Sequence, residues 1–196
     1  MYLDTNAALN STVRKQNGFT YVRWGRKTCP NITTTSLVYT GQAASGHFRH
    51  PGSAEYLCLP NDPQFDNPDN TEHGARSLIY GSEYETPTSA FTTLNSMEVP
   101  CALCLSRGKT TVMIPARTSC YSGWTLEYRG YLMSSEHSHP GKNYVCMDIN
   151  AEALDASYGN LDETLFYLVE GRCSALKCPP YVNGQELTCA VCSITL

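Results

Sequence analysis

Met97–Ser106 reads MEVPCALCLS and Gln185–Ile194 reads QELTCAVCSI, so the pattern Glu-x-x-Cys-Ala-x-Cys occurs twice. Cys101, Cys104, Cys189 and Cys192 together could close a tetrahedral zinc site as four thiolates. The same spacing suits a redox pair, provided that the first cysteine of each pair opens a helix whose dipole stabilises the thiolate. A third chemistry is the plain disulfide. Local sequence separates the three: a zinc knuckle needs a tight turn between its cysteines, whereas VPCALCL and LTCAVCSI read as extended strand. Neither cassette shows the helix a redox pair requires. In a strand, positions three apart project to opposite faces, so Cys101 is not placed to bond Cys104 and each cysteine needs a partner elsewhere. The cassettes are therefore expected to be structural staples, each stabilising by roughly 2–4 kcal/mol. If the two strands pair antiparallel with Cys101 opposite Cys192, then Cys104 falls opposite Cys189, with one pair hydrogen-bonded and the other not; the connectivity of the ten cysteines stays open at this point.

Cys29, Cys58, Cys120, Cys146, Cys173 and Cys178 bring the total to ten, an even number and far more than a reducing compartment tolerates as unliganded thiol. Two N-glycosylation patterns, at Asn10 and Asn31, agree with an oxidising, extracellular location. Secretion then requires a leader, which the start MYLDTNAALN does not resemble. No stretch approaches the roughly 20 apolar residues of a membrane helix, so membrane insertion is not expected. A net charge of −4 gives no basic field for nucleic acid.

Other residues offer weaker chemistry. His47-Phe48-Arg49-His50 and His137-Ser138-His139-Pro140 each bring two imidazoles close, in stretches that read as loops. Asp62, Asp66 and Asp69 offer hard oxygen ligands, which makes calcium the one candidate cofactor, although no calcium-loop spacing is present. Glu83, Glu85, Glu127 and Glu170 could include an acid/base pair, but nothing ranks one pair above another and no catalytic motif occurs, so an enzyme is not expected. His47, Arg49, His50, Asp62, Asp66 and Asp69 are the candidate ligand-binding residues. The Tyr and Trp residues, among them Trp24, Trp124, Tyr56, Tyr80, Tyr84 and Tyr131, are expected mostly in the core.

These groups must be held by short strands. About ten segments rich in Tyr, Val, Ile, Leu and Thr recur between Gly, Pro, Asn and Ser clusters: FTYVRWG, SLVYTG, EYLCLP, SLIYGSEYE, VPCALCL, TTVMIPA, TLEYRGYLM, NYVCMDI, TLFYLVEG and ELTCAVCSITL. In the first, Val22 and Trp24 share one face. In TLEYRGYLM, alternation puts Leu126, Tyr128 and Leu132 against Glu127, Arg129, Tyr131 and Met133. Ala151–Ser157 is the one expected helix inside the domain. Residues 1–18 are expected to form a flexible arm and 19–196 one disulfide-stapled, mostly β domain, an antiparallel sandwich or barrel with long loops, of which 59–77 is the longest.

The stretches YVRWGRKTCP, LVYTGQAASGHFRHPGSAEYLCLPNDPQF, VPCALC, MIPARTSCYSGWTLEYRGYLM and CPPYVNGQELTCAVC, between Tyr21 and Cys192, resemble the C-terminal non-collagenous domain of spongin short-chain collagens and their secreted invertebrate relatives. The resemblance implies an extracellular, disulfide-bonded β module, distantly comparable to collagen ends that trimerise and direct assembly. The chain has no Gly-X-Y triplets, so it contains no triple helix. Sequence and resemblance together predict a secreted, non-enzymatic matrix module that forms homo-oligomers, with a trimer as the implied number and a glycan or matrix protein as further partner. The alternative is a soluble glycan-binding, lectin-like or defence protein, its site formed by the 59–77 loop with His47, Arg49 and His50.

Overall fold

The computed structural model describes residues 18–66, 76–157 and 159–195. Ten strands form within them: β1 Gly18–Trp24, β2 Thr35–Ser45, β3 Leu57–Pro60, β4 Tyr80–Tyr84, β5 Pro100–Arg107, β6 Lys109–Pro115, β7 Thr125–Ser134, β8 Val145–Asp148, β9 Thr164–Leu168 and β10 Thr188–Thr195. Each falls on one of the ten segments read from the sequence. Gly18, the last residue of the expected arm, opens β1; the rest of the arm lies outside the described residues.

The strands belong to one sheet in the order β6-β10-β7-β8-β1-β5-β2-β4-β9, with β3 on β2 and a further pairing of β7 with β9. That last pairing returns the path to β7, so seven strands close into a ring, β7-β8-β1-β5-β2-β4-β9. Closure removes the edges at which the ring strands would otherwise end, while β3 and β6, each paired with one strand only, remain edges. The antiparallel expectation needs one correction, because β1 with β8 and β4 with β9 run parallel. The inside of the ring is packed with Trp24, Tyr56, Tyr84, Val99, Cys101, Met133, Met147 and Phe166. Val22 packs against this cluster together with Trp24, on the face the alternation assigned.

Strand β7 divides one of its edges between two partners. Residues 125–131 pair with β10, and Met133 and Ser134 pair with β9. The β6–β10 ribbon thereby leaves the ring and lies over its outer wall. A second apolar cluster fills the space between: Tyr128, Leu132, Cys146, Cys189 and Val191, with Tyr21 and Met113 packed against it.

All ten cysteines are bonded: Cys29–Cys104, Cys58–Cys101, Cys120–Cys192, Cys146–Cys189 and Cys173–Cys178. The Cys101–Cys192 and Cys104–Cys189 pairing that adjacent cassette strands would give does not form. Its premise was that the two cassette strands are neighbours, and they are not: β5 lies between β1 and β2, while β10 lies between β6 and β7. The inference from strand geometry stands, since no cysteine bonds its cassette mate. Four bridges close spans of 43 to 75 residues, for which loop-closure entropy gives about 4 kcal/mol each.

Ala151–Ser157 is not helical. Its backbone is committed elsewhere: Glu152 N–H donates to Gly25 O at 2.9 Å and Leu154 N–H to Glu98 O at 3.0 Å. Seven residues seldom hold a helix without strong support, and here those donors join the segment to two distant parts of the chain. The only helical turn among the described residues is the 3-10 turn Thr92–Leu94.

Candidate functional site

The end of β7, the connection to β8 and the segment after β9 surround a cleft of about 670 Å³, lined among others by Glu136, His139, Lys142, Tyr144, Tyr167 and Arg172. The connection is strapped in place. Ser134 Oγ donates to Lys142 O at 3.0 Å, Asn143 N–H donates to Ala54 O at 2.9 Å, and Asn143 Oδ1 accepts the Tyr56 N–H at 2.9 Å. The next residue, Tyr144, leaves its ring 60 % exposed, whereas Lys142 is only 9 % exposed.

Charges within the cleft are mostly paired. Glu136 accepts from Ser138 N–H at 3.0 Å and Ser138 Oγ at 2.5 Å, and faces His137 Nδ1 and, at 3.9 Å, His139 Nε2. The two Ser138 bonds hold its carboxyl below the usual carboxylate range. Arg172 pairs with Glu170 at 3.0 Å. The Tyr167 hydroxyl is pushed up to about 12 by burial, with Glu85, Glu136 and Asp162 adding to the effect. Lys142 Nζ has a single weak acceptor, Ser53 O at 3.4 Å, and lies 6.0 Å from the Tyr56 ring; burial pushes its ammonium down.

A ridge of rings joins this cleft to the first histidine pair. His47 contacts Phe48, His50 and Tyr80 with centroids 5.0, 4.8 and 5.2 Å apart, Phe48 meets His139 at 4.9 Å, and His139 meets Tyr167 at 5.7 Å. Arg49 lies over Phe48 at 4.8 Å. The two histidine pairs, 90 positions apart between His47 and His137, thus meet through Phe48. The Arg49 N–H donates to His47 Nδ1 at 3.0 Å, and burial, then His50 and Arg49, hold that imidazole below its ordinary value. Ring packing holds the cluster together, and no group of three potential metal ligands occurs among the described residues.

Asp62 and Asp66 are exposed after β3 and do not line the cleft, and Asp69 lies outside the described residues. Asn31 is exposed in the β1–β2 connection, and Asn10 lies outside the described residues. Of the four glutamates weighed as acid/base groups, only Glu170 lines the cleft. Glu83 is buried and accepts the Leu161 N–H at 3.1 Å, and burial raises its carboxyl.

Glu127 departs from the expected alternation. The β7–β10 register shifts between Val191, opposite Tyr128, and Cys192, opposite Leu126, which makes Glu127 the extra residue of a β-bulge. Consecutive side chains at a bulge can share a face, so Glu127 joins Tyr128 indoors while Leu126 is 39 % exposed. Its carboxylate accepts from Tyr21 OH and Thr35 Oγ1, both at 2.9 Å, and Ser106 Oγ at 3.2 Å. Lys109 Nζ stands 4.0 Å away and donates to Ser193 Oγ at 3.3 Å. Burial and the Glu127 charge push the Tyr21 hydroxyl far above its ordinary value. Five strands contribute to this network, along with the first residue of β2, and it anchors the ribbon to the ring wall.

No protein-family model matches the chain.

Proposed function

We propose that the chain is a secreted, non-enzymatic recognition module that binds glycans in the cleft between the β7–β8 connection and the segment after β9. One observation carries this reading: a cleft of about 670 Å³ in which exposed Tyr144 and partly exposed Tyr167 accompany Glu136, His139, Lys142 and Arg172. Sugars are held by ring faces together with planar, charged hydrogen-bonding groups, and sites of this size take small ligands. Five disulfides support an oxidising environment. Exposed Asn31 is an available acceptor for glycosylation. The resemblance to spongin-type domains supports the extracellular part of this reading. A glycan array probed with unreduced protein tests the reading. Binding that disappears in both Tyr144→Ala and Tyr167→Ala supports it, and uniform silence across the array removes it.

Self-assembly into matrix is the second reading, favoured by β3. This strand pairs only with β2, and Leu57 and Leu59 on it are 45 % and 37 % exposed. Such an edge is a template for another strand. Native mass at increasing concentration tests this reading, with a stable trimer or larger assembly as its expected result and a monomer throughout as its contradiction.

A further inference from the structure

We propose that the glycan bound in this cleft is acidic, and that its anionic group, a sugar carboxylate or a sulfate ester, pairs with Lys142. The inference rests on the glycan reading and deepens it. Among the charged side chains that line the cleft, Lys142 is the one whose charge has no counterpart among the described residues. Arg172 pairs with Glu170 at 3.0 Å, while Glu136 is turned to Ser138, His137 and His139 within its own loop. Lys142 is more than nine-tenths buried, and of its three N–H donors one reaches an acceptor, Ser53 O at 3.4 Å.

A desolvated ammonium with one long hydrogen bond is a costly arrangement for a structural residue. Exposed lysines usually keep their charge in water, but this one is held back by its neighbours. Ser134 Oγ binds the Lys142 carbonyl, and Asn143 is bonded from both its backbone N–H and its side chain to Ala54 and Tyr56. The backbone that carries the cation is therefore fixed before any ligand arrives, and little backbone ordering is required on binding. An entering monoanion would supply the missing acceptors in a site already shielded from solvent, where charge-assisted hydrogen bonds are strongest. The Tyr144 ring, two residues away and 60 % exposed, offers a face for the sugar itself. The overall net charge of −4 makes diffuse attraction of anions an unsuitable explanation for binding, so recognition would have to come from this local group.

The test is calorimetric titration of the folded, unreduced protein with three disaccharides sharing one core: neutral, uronate-bearing and sulfated. The two acidic ligands distinguish carboxylate from sulfate as the anion. The expected result is that at least one acidic sugar binds about tenfold or more tightly than the neutral one, the ratio expected for a charged hydrogen bond. That advantage should be lost in Lys142→Gln and kept in Lys177→Gln, which removes an equal charge from an exposed position outside the cleft. Equal binding of neutral and acidic sugars to the wild-type protein overturns the proposal while leaving the glycan reading intact, and needs no variant to fold. Silence with all three disaccharides, together with a silent array, overturns both. A Lys142→Gln protein that melts like wild type and still prefers the acidic sugar also overturns it.

Discussion

Cys101 and Cys104, three positions apart on β5, leave that strand on opposite sides: Cys101 enters the barrel and bonds Cys58, and Cys104 lies on the Tyr21 side and bonds Cys29. The second cassette repeats the device on β10. Cys189 packs into the cluster under the ribbon and bonds Cys146, while Cys192 reaches Cys120. A cassette therefore staples both faces of one strand to different parts of the chain. This accounts for the spacing better than any ligand would.

Removing these staples should have unequal effects. Replacing Cys58 and Cys101 by Ala opens a bridge spanning 43 residues in the barrel core, whereas Cys173→Ala with Cys178→Ala opens one spanning five. Loop-closure entropy predicts losses of about 4 and about 2 kcal/mol respectively, and the core pair adds a cavity term. Denaturant unfolding of the two double variants measures the difference.

Glu127 should tolerate an amide better than truncation. Glu127→Ala leaves the Tyr21, Thr35 and Ser106 hydroxyls without their acceptor and Lys109 without its nearest carboxylate. Breaking such a buried set from one side costs on the order of 3–5 kcal/mol. Glu127→Gln keeps a carbonyl oxygen and should lose less. Urea midpoints for the two variants check this order.

The strands were legible in the sequence because period-2 patterns survive wherever one face is buried, as Val22 and Trp24 illustrate. What escaped was set by long-range pairing. The disulfide partners depend on strand order, which local pattern does not encode. The bulge at Glu127 reverses the expected facing of Leu126 and Glu127 through one extra residue, and YRGYLM gives no sign of it. The cleft is built from segments around 134–144 and 167–172, in which only the histidines and Glu170 had drawn notice; Lys142 carries no motif. The helix expected at Ala151–Ser157 failed because tertiary hydrogen bonds to Gly25 and Glu98 outcompeted a weak local preference.

Two glycines should resist any side chain. A Cβ on Gly130 would meet Met147 O at 1.6 Å, and one on Gly41 would meet Leu59 O at 1.9 Å, both backbone atoms that cannot move without breaking strand pairing. Gly123, with φ +85° and open space around it, has a conformational requirement instead. Gly130→Ala and Gly41→Ala should sharply reduce the yield of folded protein. Gly123→Ala should fold with a loss of about 1 kcal/mol, as thermal melting would report.

Acidity should act on stability through Glu83. Burial raises its carboxyl above the ordinary 4.5, so the folded chain keeps this proton at pH values where the unfolded chain has lost it. The group's contribution is most favourable at and below 4.5 and declines as pH rises through the raised value. Wild type measured against Glu83→Gln across this window should show the difference shrinking or reversing with rising pH. A flat difference would contradict the buried setting.

The most direct test of the whole account is peptide mapping of the unreduced protein with thiol alkylation. The account predicts no free thiol and five linked pairs, Cys29–Cys104, Cys58–Cys101, Cys120–Cys192, Cys146–Cys189 and Cys173–Cys178. Alkylated Cys101, Cys104, Cys189 and Cys192 accompanied by one equivalent of zinc would contradict it.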